Sequence, residues 1–312
     1  MSSVIRVVPQ PVPSGSLPSA PLTERRDDPV GGIVLMLLAV VSFSCSDATA
    51  KYLAGQLPGF EVVWIRYIVF ALMLLPAALR RGGAVLRASR PGLQLLRGLS
   101  MLASSMLFIT CLPLLPLADA TAIGFVSPLF ITALSIPILG EQVGMRRWAA
   151  IAVGLIGVLL VVRPGTGAFQ PAAILPILSA LAWAAGIILT RKISGTDGTN
   201  TTLIYTAVSA LVVISLIVPF NWMTPSLGQI GLGLVYGIFA SGGQWLVVLS
   251  YHRAGASVLA PLTYSQLVWA SALGFLIFNT VPDAWTLAGA AIIVASGLYT
   301  AHRERVRARH GR

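Results

Sequence analysis

Apolar residues in this chain come in long unbroken runs rather than in alternating or narrow amphipathic stripes. Ten runs can be placed, over residues 31–53, 62–79, 93–112, 120–139, 145–162, 172–190, 201–220, 230–251, 256–278 and 285–301. At a rise of 1.5 Å per residue each approaches the ~30 Å thickness of a bilayer's hydrocarbon core. None alternates as a membrane strand does. Each therefore predicts a spanning helix, the form that satisfies its own backbone polar groups. The fifth and tenth runs are among the shortest.

Composition fits that pattern: 56% of the 312 residues are hydrophobic and 10% charged, and the mean hydropathy is +0.85. A soluble domain averages about 25% charged residues, so the fold class is an all-α integral membrane protein with ten transmembrane helices. Residues 1–29 are rich in Pro, Ser and charge and lack an apolar core with a cleavage site. They read as a disordered cytoplasmic tail, not a signal peptide. Residues 302–312 read as a second, basic cytoplasmic tail.

A net charge of +11 in a soluble protein would suggest nucleic acid. Its placement argues otherwise. With the amino terminus inside, 18 of the 21 Lys and Arg residues fall in cytoplasmic segments or at inner helix ends, Arg97 among them. Lys51 and Arg163 lie at outer helix ends, where a long side chain can reach the interface, and Arg66 lies within a span. That bias is the positive-inside rule for an even number of helices, with both termini cytoplasmic. No nucleic-acid partner is expected; the bilayer is the partner.

Catalytic and metal chemistry finds little support. Cys45 and Cys111 have no CxxC or Cys/His company, and His252, His302 and His310 show no ligand spacing. Walker, HExxH, GxSxG and Rossmann fingerprints are absent. No metal, no cofactor and no enzymatic activity are expected.

The two halves of the chain repeat. At an offset of about 140 residues LLAVVSFSCSDATAKYL falls on ILSALAWAAGIILTRKI, which sets Phe43 on Trp183 and Lys51 on Arg191. At about 138 ADATAIGFVSPLFITAL falls on ASVLAPLTYSQLVWASA, and near Gly157 and Gly297 the offset is again about 140. Order and spacing hold across the chain. Five helices per repeat is odd, so the second copy enters the membrane in the opposite sense, and a site is expected near the midplane between the halves.

These residues resemble the drug/metabolite transporter superfamily in its EamA-type ten-helix form. The resemblance rests on Phe43 with Lys51, Trp183 with Arg191, Arg66 in the second helix, and the stretch from Ala118 through Pro128 to LGE at 139–141. The glycine-spaced fifth helix at Gly154 and Gly157 completes it. It implies repeats over 30–163 and 170–301 and a secondary carrier of a small polar metabolite in a bacterial inner membrane, acting as a monomer or homodimer. The head of the chain, SFSCSDATAKYL then EVVWIRY, looks most like S-adenosylmethionine and riboflavin uptake carriers. Exporters of amino acids or metallophores share the scaffold and are the alternative. The second repeat departs from the pattern: Thr206 stands where Arg66 would map, Gln266 replaces Pro128, and IFN at 277–279 replaces LGE. The halves are not expected to contribute equally to a site.

Charges inside spans are the candidate chemistry. Asp47 and Arg66 lie roughly 10 and 8 Å from the outer ends of adjacent antiparallel helices, and Lys51 follows Asp47 at i+4. A lone charge there costs ~2.5–3.5 kcal/mol. Two readings are open: a buried pair fixing the first two helices, or a group facing a wet cavity that binds a charged substrate or exchanges a proton at Asp47. Gln244, Gln266, Trp183, Tyr264 and Trp269 are the other expected substrate contacts, the amides because they need partners in lipid and the rings because they can stack. Pro128 and Pro261 are candidate hinges. Asp119 reads as the cap of the fourth helix.

Overall fold

A computed structural model describes residues 28–81, 87–140, 145–163, 170–193, 196–254, 259 and 262–310. All regular structure among them is helical. The helices are α1 (Pro29–Ala54), α2 (Gly59–Arg81), α3 (Pro91–Cys111), α4 (Leu117–Gly124), α5 (Ser127–Leu139) and α6 (Met145–Val162). They continue with α7 (Ile174–Ile193), α8 (Thr199–Ile217), α9 (Leu227–Arg253), α10 (Gln266–Phe278) and α11 (Ala284–His310). Short 3-10 turns over Pro171–Ala173 and Val218–Asn221 lead into α7 and follow α8.

Seven described helical segments are long and apolar enough to cross a membrane, with α4 and α5 together making one of them, Leu117–Leu139. Three shorter apolar helices, Ala152–Val162, Gln266–Phe278 and Ala284–Tyr299, lie where the fifth, ninth and tenth runs were expected. Large apolar side chains such as Leu72, Leu216, Val268 and Leu276 are more than half exposed, as lipid-facing surfaces require. The chain is a multi-pass membrane protein.

Local sequence sets the helix ends. Asp28 caps α1 by accepting from the Gly31 N–H at 2.9 Å, and Pro29 occupies the first turn, where a missing N–H costs nothing. A reciprocal capping box of Ser226 and Gln229 opens α9. The fourth run breaks between Gly124 and Ser127, and Pro128 sits in the first turn of the helix that resumes. A similar turn at Tyr264 and Ser265 precedes α10. Its proline, Pro261, lies outside the described residues, as do the amino-terminal tail to residue 27 and Glu141 of LGE. The carboxy-terminal segment, expected as a basic tail from residue 302, continues α11 as helix through His310, which its arginines favour.

Packing pairs α1 with α9, α3 with α7, and α6 with α11; α2 and α3 each also pack on α8, α2 on α9, α5 on α7, and α10 on α1 and α4. Glycines allow the tightest crossings. A Cβ on Gly157 would lie 2.7 Å from the Gly289 carbonyl oxygen, and one on Gly289 2.5 Å from that of Gly157, so α6 and α11 touch backbone to backbone. Gly98 of α3 meets Ser209 of α8, and Gly237 of α9 meets Val69 of α2. A core of Leu53, Val63, Tyr67, Leu102, Leu117, Ile214 and Tyr236 gathers α1 to α4 with α8 and α9.

Candidate functional site

Asp47 sits in the second half of α1, on the side shared with α9 and α10. Its Oδ2 accepts a hydrogen bond of 3.0 Å from Nε2 of Gln266, the first residue of α10. The helix break matters here. By restarting α10 at Gln266 the chain delivers an amide, from residue 266, to a carboxylate 219 positions earlier. The other oxygen, Oδ1, receives no bond from a described residue.

Arg66 is within electrostatic reach of Asp47, but no N···O contact of 4.0 Å or less joins them. Its Nη1 donates to Ser105 Oγ of α3 at 3.0 Å, and the guanidinium lies 5.7 and 5.9 Å from the ring centroids of Tyr67 and Tyr236. Cation–π contact and a hydroxyl thus supply what a direct ion pair would have supplied. Ser46, beside Asp47, donates to the Tyr236 carbonyl at 3.5 Å. The group around Asp47 therefore comprises Gln266 in contact and Arg66 with Tyr67 and Tyr236 nearby.

Lys51, expected near Asp47, donates from Nζ to the carbonyls of Leu112 and Leu115, each at 2.5 Å, under the ring of Phe278 at 5.3 Å. Those carbonyls lie at the end of α3 and in the loop after it, where helical partners run out, so the ammonium serves as a cap. Asp119 does not cap α4. It lies in the first turn and accepts from Thr286 Oγ1 of α11 at 2.9 Å, while Pro116 holds the capping position. Nearby, Arg163 and Asp283 form an ion pair at 2.5 Å, and the Thr286 N–H donates to Asp283 at 2.8 Å. That N–H holds the Asp283 carboxyl below the usual carboxylate range, with Arg163 adding to the effect.

The remaining candidates are more dispersed. Tyr264 packs its ring 5.2 Å from Phe125, and its hydroxyl fills the space beside Gly297 of α11. Trp269 on α10 and Trp183 on α7 are 42% and 37% exposed. Gln244 is half-buried on α9 and makes no hydrogen bond to a described residue; the preceding Gly243 abuts Phe43 of α1.

Sequence reasoning passed over Tyr236, Ser105 and, above all, Arg97. Counted as a topology determinant, Arg97 is only 8% exposed. Its Nε donates to Thr190 Oγ1 of α7 at 2.6 Å, and its Nη1 donates to the Thr202 carbonyl of α8 at 3.3 Å and to Thr206 Oγ1. Gln94 beside it donates to Thr202 Oγ1 at 3.1 Å and to Asp197 at 2.8 Å. The signal was present: Gln94, Arg97 and Ser104 share one face of α3, and Thr202, Thr206 and Ser209 one face of α8.

A family model described as the EamA-like transporter family matches residues 30–163 and 170–300. The S-adenosylmethionine uptake transporter of Rickettsia prowazekii (strain Madrid E) is 31% identical over 276 residues, covering 88% of this chain and 94% of that protein. The riboflavin transporter of Vibrio cholerae serotype O1 is 30% identical over 296 residues, with coverages of 91% and 97%. A pseudopaline exporter of Pseudomonas aeruginosa is 28% identical over 267 residues, with coverages of 85% and 94%. A solved crystal structure shares the fold at a TM-score of 0.62 and 17% identity, covering 89% of this chain and 99% of that one.

Proposed function

Because this chain belongs to the EamA-like transporter family, we propose that it is a secondary carrier that takes up S-adenosylmethionine across a bacterial inner membrane. Similarity to an uptake transporter over nearly the whole of both chains is the observation that carries this reading. The geometry around Asp47 supports it chemically. S-adenosylmethionine carries a sulfonium and an ammonium, and one oxygen of the Asp47 carboxylate accepts no hydrogen bond from a described residue. Trp269, three residues after Gln266 on α10 and 42% exposed, supplies a ring on which a purine can stack.

The carrier works by alternating access of two inverted five-helix repeats, α1 to α6 and α7 to α11, with both termini cytoplasmic. Support comes from the pairwise packing, which is preserved when the halves are exchanged. Under that exchange α1–α9 becomes α7–α3, α2–α9 becomes α8–α3, and α5–α7 becomes α10–α1, while α2–α8 and α6–α11 map onto themselves. The close approach of Gly98 to Ser209 likewise becomes that of Gly237 to Val69. Gln266 of the second repeat stands where the first has Pro128, and Asp47 where the second has Ile187, so the polar pair occurs once.

Riboflavin uptake is the second reading, favoured by a relative of comparable identity and higher coverage. Host cells unable to make S-adenosylmethionine test the first. Growth on external S-adenosylmethionine that depends on this chain supports it, whereas rescue of a riboflavin auxotroph alone would replace it with the second.

A further inference from the structure

Arg97 carries a role that the Asp47 group leaves unfilled. It lies seven residues into α3, and Arg66 eight residues into α2, so the two guanidiniums sit at about 9 and 10.5 Å from opposite ends of antiparallel helices. Exchange of the halves maps Arg66 onto Thr206 and Arg97 onto the neighbourhood of Tyr236 and Gly237. The contact of Arg66 with Tyr236 in the α2–α9 interface therefore corresponds to that of Arg97 with Thr206 in the α3–α8 interface.

The two interfaces are not tied alike. Arg66 donates to Ser105 within its own half and meets both the ring and the hydroxyl of Tyr236 across the boundary. Arg97 bridges the halves with bonds to Thr190, Thr202 and Thr206. Outside it, Gln94 and the Ser89 N–H both donate to Asp197, at 2.8 and 2.7 Å, closing the loop before α3 onto the loop before α8. Every group bonded to Arg97 is a neutral hydroxyl or carbonyl, so opening the interface exchanges these bonds for water and separates no ion pair.

Resting on the two-repeat carrier reading, we propose that Arg97, with Thr190, Thr202 and Thr206, is the cytoplasmic gate, closed in this structure and released when the carrier opens inward. Arg97 is a positioning residue, since it acts on the helices and not on the transported molecule.

The test uses the full chain in a background with Cys45→Ala and Cys111→Ala. A Cβ at residue 98 would lie 3.3 Å from Ser209 Cβ, close to the ~3.5–4.5 Å range of a disulfide, so Gly98→Cys with Ser209→Cys can bolt the interface shut. Oxidation is expected to stop S-adenosylmethionine or riboflavin transport in proteoliposomes, and reduction to restore it. Full transport with the bond formed would overturn the gate. A second arm needs no substrate. A Ser104→Cys reporter, buried about 10 Å deeper along α3, is exposed to a membrane-impermeant maleimide in inside-out vesicles. Thr206→Val and Arg97→Gln are expected to raise labelling from that side at least about tenfold, and Arg97→Lys to recover part of the protection; RT ln 10 is about 1.4 kcal/mol. Unchanged labelling in Thr206→Val, the milder substitution, would overturn the proposal even if Arg97→Gln fails to fold. Gated labelling without transport of either compound would leave the gate standing and remove both substrate readings.

Discussion

Gln266 donates to Asp47 across the boundary between the halves of the chain, from the first residue of a restarted helix to the middle of another. The pair joins a carboxylate that lipid would not tolerate alone to an amide that lipid would not tolerate alone. Gln266→Leu is expected to lower the melting temperature by the equivalent of ~1–3 kcal/mol, the cost of a stranded polar group. Gln266→Glu is expected to be worse, because it sets two acids side by side. Equal melting of wild type and Gln266→Leu would show that the bond contributes nothing to the fold.

Lys51 caps carbonyls, so its loss acts on stability. Lys51→Met leaves the Leu112 and Leu115 carbonyls without their donor. Because the site is half exposed, water replaces part of the loss, and the expected destabilisation is about 1–2 kcal/mol. Lys51→Arg should retain most of it. Thermal unfolding in detergent reads the difference; a neutral Lys51→Met would refute the capping role.

Much of this architecture was legible because a bilayer demands long apolar runs, and seven of the expected runs hold described helices long and apolar enough to span, with shorter apolar helices in the other three. The positions of Asp47 and Arg66 along their helices were legible for the same reason. Azimuth was not. Sequence gives how far along a helix a charge lies and says less about which neighbour it faces, so Arg66 was set against Asp47 when its hydrogen bond goes to Ser105. Asp119 was misread as a cap, and Lys51, expected beside Asp47, donates elsewhere; the partners both residues meet come from distant stretches of chain. The polar faces of α3 and α8 held the Arg97 cluster in view, but counting Arg97 only as charge hid it.

The α6–α11 crossing should tolerate no side chain. Gly157→Leu or Gly289→Leu places carbon where a backbone oxygen lies within 2.7 Å. Such overpacking typically costs ~1–3 kcal/mol, so both variants are expected to melt earlier and express less, and the double variant to fare worse than either. Wild-type melting of Gly157→Leu would mean that the helices are farther apart than they are here.

The Asp283 tie at the end of α11 should be indifferent to pH over the physiological range. Its carboxyl titrates lower when folded, so its contribution is fully present above the unfolded value of about 3.9 and is lost as pH falls through the folded one. The melting difference between wild type and Asp283→Asn is expected to stay constant between about pH 5 and 8 and to shrink only below about pH 4. A difference that changes across pH 5 to 8, by roughly a kcal/mol per unit, would assign the titration to another group.

Uptake of labelled S-adenosylmethionine into proteoliposomes, wild type beside Asp47→Asn, tests the central claim most directly. Asparagine keeps an acceptor for Gln266 and removes the charge. Folded Asp47→Asn protein is expected to lose uptake by at least about tenfold, worth ~1.4 kcal/mol or more of binding or transport free energy. Uptake equal to wild type would contradict the assignment of Asp47 to the substrate site.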